Sequence, residues 1–205
     1  STEDTIYIHH NRFEEGDYGV YLTASGGDPE KEVSIENNDF YNTRYRSIYT
    51  QFHDGLKVSD NHVFVNQTDH EGIVITSSAN TKKINSNDIR LLAGGNAGLY
   101  LLGVSGTAGL PAEVSNNYIY ISGWPYASHG IYQAYCNYLE VDFNTVRLES
   151  TGPGSIGFTD ENSNQNIHLR NNNFANYSDG LSMYVNWQSP YTSNTTDYCN
   201  LYTTG

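Results

Sequence analysis

Apolar and polar residues alternate along this chain in short runs, and the runs recur at a near-constant spacing. Seven segments, 6–13, 33–40, 56–63, 82–89, 112–119, 139–146 and 167–174, share one pattern. Each has an apolar residue three positions before an Asn and another two positions after it. The seven Asn are Asn11, Asn38, Asn61, Asn87, Asn117, Asn144 and Asn172, 23 to 30 residues apart with a mean of about 27, within the window of solenoid repeats. A second element follows each Asn after a loop of variable length. It occupies 19–22, 47–50, 72–75, 98–101, 130–133, 157–160 and 180–183, and it opens with Gly in six copies and Ser47 in the other. The period-2 alternation predicts three short strands per repeat: one before the Asn, one after it and one after the Gly.

One such repeat cannot bury its own apolar side chains. Stacked at strand spacing, roughly 4.8 Å, seven of them can. Ile8, Ile35, Val58, Ile84, Val114, Val141 and Leu169 then form one internal column, and the positions from Phe13 to Phe174 form a second. The Asn amides, able to donate and accept, are expected to make a ladder from coil to coil at one tight corner, where Asn also tolerates left-handed backbone. The expected fold is an all-β solenoid of about seven coils in a single domain, 1–205. Asn200-Leu201-Tyr202 reads as the start of another coil, so the chain is expected to be a stretch of a longer solenoid or multidomain protein, with neighbouring coils or domains at its ends.

The pattern apolar-x-apolar-x-x-Asn-x-apolar, followed by Gly-Ile-x-Ile, resembles the right-handed parallel β-helix repeat of the pectate-lyase-like superfamily. The tail 197–205 is similar to segments of large secreted bacterial β-helix proteins. The resemblance implies right-handed winding, a secreted or cell-surface setting and, where members are lyases or hydrolases, a cleft over the sheet that follows the Gly. The repeat itself specifies a fold and not a reaction.

Composition agrees with this architecture. The 24 Asn, 19 Gly and 18 Tyr favour turns and half-buried strands over helices. A formal charge of -13 repels phosphate backbones, so nucleic acid is an unsuitable partner. No apolar run reaches the roughly 18 to 20 residues of a membrane span. Cys136 and Cys199 are too few for a disulfide scaffold, and the reading leaves open a bridge between them or two small buried side chains. His9 and His10 are adjacent in a turn and the other histidines fall at unrelated coil positions, so no metal site is expected.

Candidate chemistry is confined to the strand after the Gly and the loops before it. The outward residues of that strand are expected to be Tyr21, Tyr49, Val74, Tyr100, Tyr132, Thr159 and Ser182. The four tyrosines, with Thr23, Gln51, Thr76 and Gln133 nearby, make a stripe suited to binding sugar rings. Arg46, Glu71 and His129 are expected in one row beside it, Arg46 within reach of Glu71 and His129 about two strand spacings from Glu71. The first reading is a non-catalytic extracellular module, a structural stalk or a carbohydrate-contacting or adhesive surface whose partner is a polysaccharide or cell-surface glycan. The alternative is a polysaccharide lyase or glycoside hydrolase using Arg46, Glu71 and His129. No cofactor is required by the first reading. Calcium would serve the second if an acidic polymer had to be bridged to this acidic chain.

Overall fold

A computed structural model describes residues 5–123, 125–149, 151–186 and 193–204. The described chain winds through three parallel sheets. The first sheet, formed before the ladder Asn, runs from Ile6–His9 to Thr195–Asp197, and the second, formed after it, from Arg12–Glu14 to Asn200–Thr203. Each has eight strands. The third has seven, from Tyr18–Thr23 to Gly180–Val185. Each strand pairs with the equivalent strand one coil away, so like positions meet. Ile8 pairs with Ile35, Ile35 with Val58, and so on to Leu169. The second column runs from Phe13 to Leu201, and Phe13 stacks on Phe40 with ring centroids 4.9 Å apart. From Ile35 to Leu169 in the first column and from Phe40 to Phe174 in the second, these residues are buried. Asn200–Thr203 pairs with Asn173–Asn176 as the eighth strand of the second sheet.

The ladder is continuous. Asn87 donates from its backbone N and from Nδ2 to Asn117 Oδ1 at 3.1 and 2.9 Å, and Nδ2 also donates back to the Val58 carbonyl at 3.1 Å. Asn117 repeats the set towards Asn144 and the Ile84 carbonyl. Asn38 to Asn172 are all buried, so the ladder pairs backbone and amide groups that no water reaches. The expectation that the ladder Asn itself takes the left-handed conformation is corrected. That geometry belongs to the residue before it: His10, Asn37, Asp60, Ser86, Asn116, Phe143, Asn171 and Tyr198 all have φ between +49° and +57°. Turning one residue earlier leaves the Asn side chain pointing inward.

Cys199 stands at the eighth ladder position, 27 residues after Asn172. Asn172 Nδ2 donates to the Val141 and Arg170 carbonyls at 2.7 and 2.9 Å, and across to the next coil it meets a sulfur, Cys199 Sγ at 3.8 Å, in place of an amide oxygen. Both cysteines are free thiols, Cys136 in the core and Cys199 at the end of the ladder, so the bridge is not formed. Cys199→Asn is expected to replace this weak sulfur contact with an amide-oxygen rung like that between Asn144 and Asn172 and to stabilise the protein by about 1 kcal/mol. For a chain of this size that is a rise of about 2–4 °C in Tm. An unchanged or lower Tm by calorimetry would show that the rung does not extend.

The glycine that opens the third-sheet strand is required by close approach. A Cβ on Gly130 would lie 2.2 Å from Val146 Cγ1 and 2.4 Å from the Gly157 carbonyl oxygen. The last copy of this element is shifted from its expected position. Phe158 pairs with Met183 and Thr159 with Tyr184, so Tyr184, not Ser182, belongs to the outward row. Leu181, expected inside, faces out and is 49% exposed. A period-2 pattern reads the same after a slip of two residues, and Gly180 matched the template in the wrong frame.

Candidate functional site: the tyrosine face of the third sheet

Parallel pairing in register sets three outward rows on the third sheet. The first is Tyr18, Arg46, Glu71, Ala97, His129, Ile156 and Leu181, and the second is Tyr21, Tyr49, Val74, Tyr100, Tyr132, Thr159 and Tyr184. The third includes Thr23, Gln51, Thr76 and Glu161. The predicted tyrosines therefore share one face. Tyr21 stacks on Tyr49 with centroids 5.0 Å apart, and Tyr100 on Tyr132 at 4.8 Å. Val74 points outward between Tyr49 and Tyr100, yet it and Ala97 are each only 2% exposed, covered by their larger neighbours.

Gln133 does not belong to this face. Its strand partner is the core residue Leu101 and it is fully buried. It occupies the inward position that ends the Gly-Ile-Tyr-Gln copy, where the other coils put mainly apolar residues.

Arg46 and Glu71 are brought together as expected. Arg46 Nε donates to Glu71 Oε2 at 2.5 Å, and its guanidinium lies 4.9 Å from the Tyr49 ring centroid. Burial pulls the Arg46 pKa down, but the hydrogen bond and charge of Glu71 outweigh it and the net shift is upward. Arg46 is a fixed cation and a poor base. His129 joins a different group. Its Nδ1 is 2.8 Å from Thr159 Oγ1 and its ring meets the Tyr132 edge at 5.4 Å. Burial lowers its pKa, only partly opposed by Glu161. The strand carrying Ala97 separates His129 from Glu71 by two strand spacings, so the three candidates for acid/base work share a row without converging.

Sequence reasoning missed Glu161. It accepts a hydrogen bond from the Tyr132 hydroxyl at 3.1 Å, and burial followed by the Glu161 charge pushes the Tyr132 phenol up to about 12. Tyr100 is raised by burial and then by Glu71, with Glu161 adding to it. The signal was available: Glu161 lies two residues beyond Thr159 on the same strand parity. Large grooves open elsewhere. One of about 570 Å³ lies on the first sheet beside Leu110, Glu113, Glu140 and Phe143, and one of about 350 Å³ lies on the second beside His62 and Phe64. The third-sheet face is a ribbon of side chains rather than a cleft with converging carboxylates.

A continuous Asn ladder, three parallel sheets and one tyrosine-lined outer face define a parallel β-helix repeat protein. More particularly, the chain belongs to the NosD family, described as periplasmic copper-binding protein, whose family model matches residues 1–205. The family is a right-handed β-helix type and its periplasmic setting is an envelope one, outside the cytoplasm. No curated protein and no solved structure matches the chain.

The family description names copper, and the donors present can be tested against it. Among the described residues no three His, Cys, Asp or Glu side chains come together to hold a metal ion. Cys136 is buried, and desolvation pushes its thiol up to about 12, away from the thiolate a metal needs. His53 and His70 are buried in separate coils, and desolvation lowers both. His9 and His10 are exposed, their Nδ1 atoms 2.9 Å apart, and supply only two nitrogens. The described donor set does not fit a resident copper centre, and no chemistry is assigned through one.

Proposed function

We propose that the chain is a non-catalytic, rigid β-helix module of the cell envelope whose third-sheet face contacts glycans. The observation that carries this reading is the ribbon of Tyr21, Tyr49, Tyr100 and Tyr132 on one outer face, flanked by Gln51 and Glu161. The stacked tyrosines already occupy one another's faces, so they offer a ligand ring edges and hydroxyls. Sugars would be held mainly by hydrogen bonds along the ribbon, with stacking left to Tyr21, which is 55% exposed. Glu71 and Glu161 stand to either side of Tyr100, and Arg46, the cation of the first row among the described residues, is engaged by Glu71. Neutral or amine-bearing glycans suit this field better than polyuronates. With Arg46 held above its ordinary range and His129 apart from Glu71, the reading does not extend to lyase or hydrolase chemistry.

The test is titration calorimetry with neutral, amino-sugar and uronic-acid oligosaccharides, each with and without calcium. Binding is expected for the first two classes, and Tyr100→Ala with Tyr132→Ala is expected to weaken it at least about tenfold, the loss of two hydroxyl partners. Affinity that is the same in the double variant would remove the ribbon from the reading. Sugar cleavage abolished by Glu71→Gln would replace the reading with a catalytic one.

A further inference from the structure

The inward column of the third sheet is aliphatic at Ile75 and Leu101 and then turns polar at two consecutive coils, with Gln133 and Asp160 paired strand to strand. Both side chains are in the interior, at 0% and 1% exposure. Asn164 closes the same corner. It donates from Nδ2 to Asp160 Oδ1 and to the Gln133 carbonyl, and its Oδ1 accepts the backbone N–H of Cys136. Within this lattice one group stands out: neither Oε1 nor Nε2 of Gln133 has a hydrogen-bond partner.

An amide carries two donors and an acceptor oxygen with two lone pairs, and leaving all of them unmade in an apolar core is strongly unfavourable. Buried groups of this kind are paired by protein or by ordered water. A direct contact with the Asp160 carboxylate could satisfy Nε2 but would leave Oε1, since a carboxylate cannot donate. A cation could satisfy Oε1 but would be repelled by the N–H groups of Nε2. Only a molecule that donates and accepts meets both ends of the amide and the neighbouring carboxylate.

We infer that the core of the fifth and sixth coils encloses an internal hydration site, holding at least one ordered water between the Gln133 amide and Asp160. The site is independent of the tyrosine face, because it lies on the opposite side of the same sheet. It places two adjacent polar levels in a column whose other members are Leu22, Thr50, Ile75, Leu101 and Val185, so a slip by one coil towards Leu101 would bring an aliphatic side chain to the level of the amide.

A crystal structure of the unaltered protein at high resolution tests this directly. The expected result is a density peak about 3 Å from both Gln133 Oε1 and Nε2. An empty interior, with Gln133 turned onto Asp160, would overturn the inference. So would a peak with oxygen contacts of about 2.3–2.6 Å, which marks a cation. Gln133→Leu gives a second reading with opposite signs for the two cases, and Leu already fits this column at Leu101. If water bridges to Asp160, the variant expels it and Tm falls by about 3 °C or more. If the interior is dry, the variant only removes an unpaired amide and Tm rises, which overturns the inference without a crystal.

Discussion

Asn117→Ala is expected to destabilise the protein by about 4 kcal/mol, a large part of the roughly 5–15 kcal/mol that holds a domain together. The side chain is the acceptor for the backbone N and Nδ2 of Asn87 and the donor to the Ile84 carbonyl and to Asn144 Oδ1. Alanine leaves the two Asn87 donors unpaired where no water reaches. Each costs about 1–3 kcal/mol, reduced where the corner can relax. Asn11→Ala is the control. Asn11 is exposed, so the same truncation there should cost under about 1 kcal/mol, since water replaces the lost partners. Urea unfolding of both variants checks the comparison. Equal, small losses would mean that the corner is held by backbone pairing alone and that the ladder is incidental.

The ladder and the core columns were legible in the sequence because a solenoid puts like on like. Once Asn11 to Asn172 are aligned, every neighbour of Ile84 or Ile119 follows from addition. That logic fails where two frames look alike. Gly180-Leu181-Ser182-Met183 satisfies the template as well as the true register does, and only the pairing of Phe158 with Met183 decides between them. The outward row thus gains Tyr184 and loses Ser182. Gln133 was misread for a related reason: its residue type implied the surface while its position in the repeat implied the core, and position prevailed. The Arg46–Glu71 contact was predictable from the row alone. The turn of His129 towards Thr159 was not, because it depends on a side-chain rotamer choice between two coils. The family resemblance foretold the winding, while the tyrosine ribbon came from the parity of the third strand.

Acid should weaken the fold through His70. This residue is fully buried in the loop before the third-sheet strand, and its Nε2 lies 3.3 Å from Ser47 Oγ, which in turn is 2.9 Å from Thr43 Oγ1. No carboxylate shares this pocket among its hydrogen bonds. Burial, with the Arg46 charge adding to it, lowers the His70 pKa from 6.5 to about 4. The unfolded chain takes up the proton first as pH falls, so the stability linked to His70 is whole above pH 6.5 and is lost progressively down to about 4. Each unit is worth about 1.4 kcal/mol, giving about 3 kcal/mol across the window. His53, buried and shifted in the same direction, adds to the loss. Carboxylates with lowered pKa values, Glu36 and Glu149, act in the same sense but below their ordinary value of 4.5, so they scarcely contribute above pH 5. The measurement is the urea midpoint at pH 7 and pH 5 for the protein and for His70→Gln. The unaltered protein should lose about 2 kcal/mol more than the variant over this interval, because glutamine cannot be protonated there. Parallel losses in the two would mean that His70 opens to water before it is protonated, and that the pocket around Ser47 is less closed than its geometry indicates.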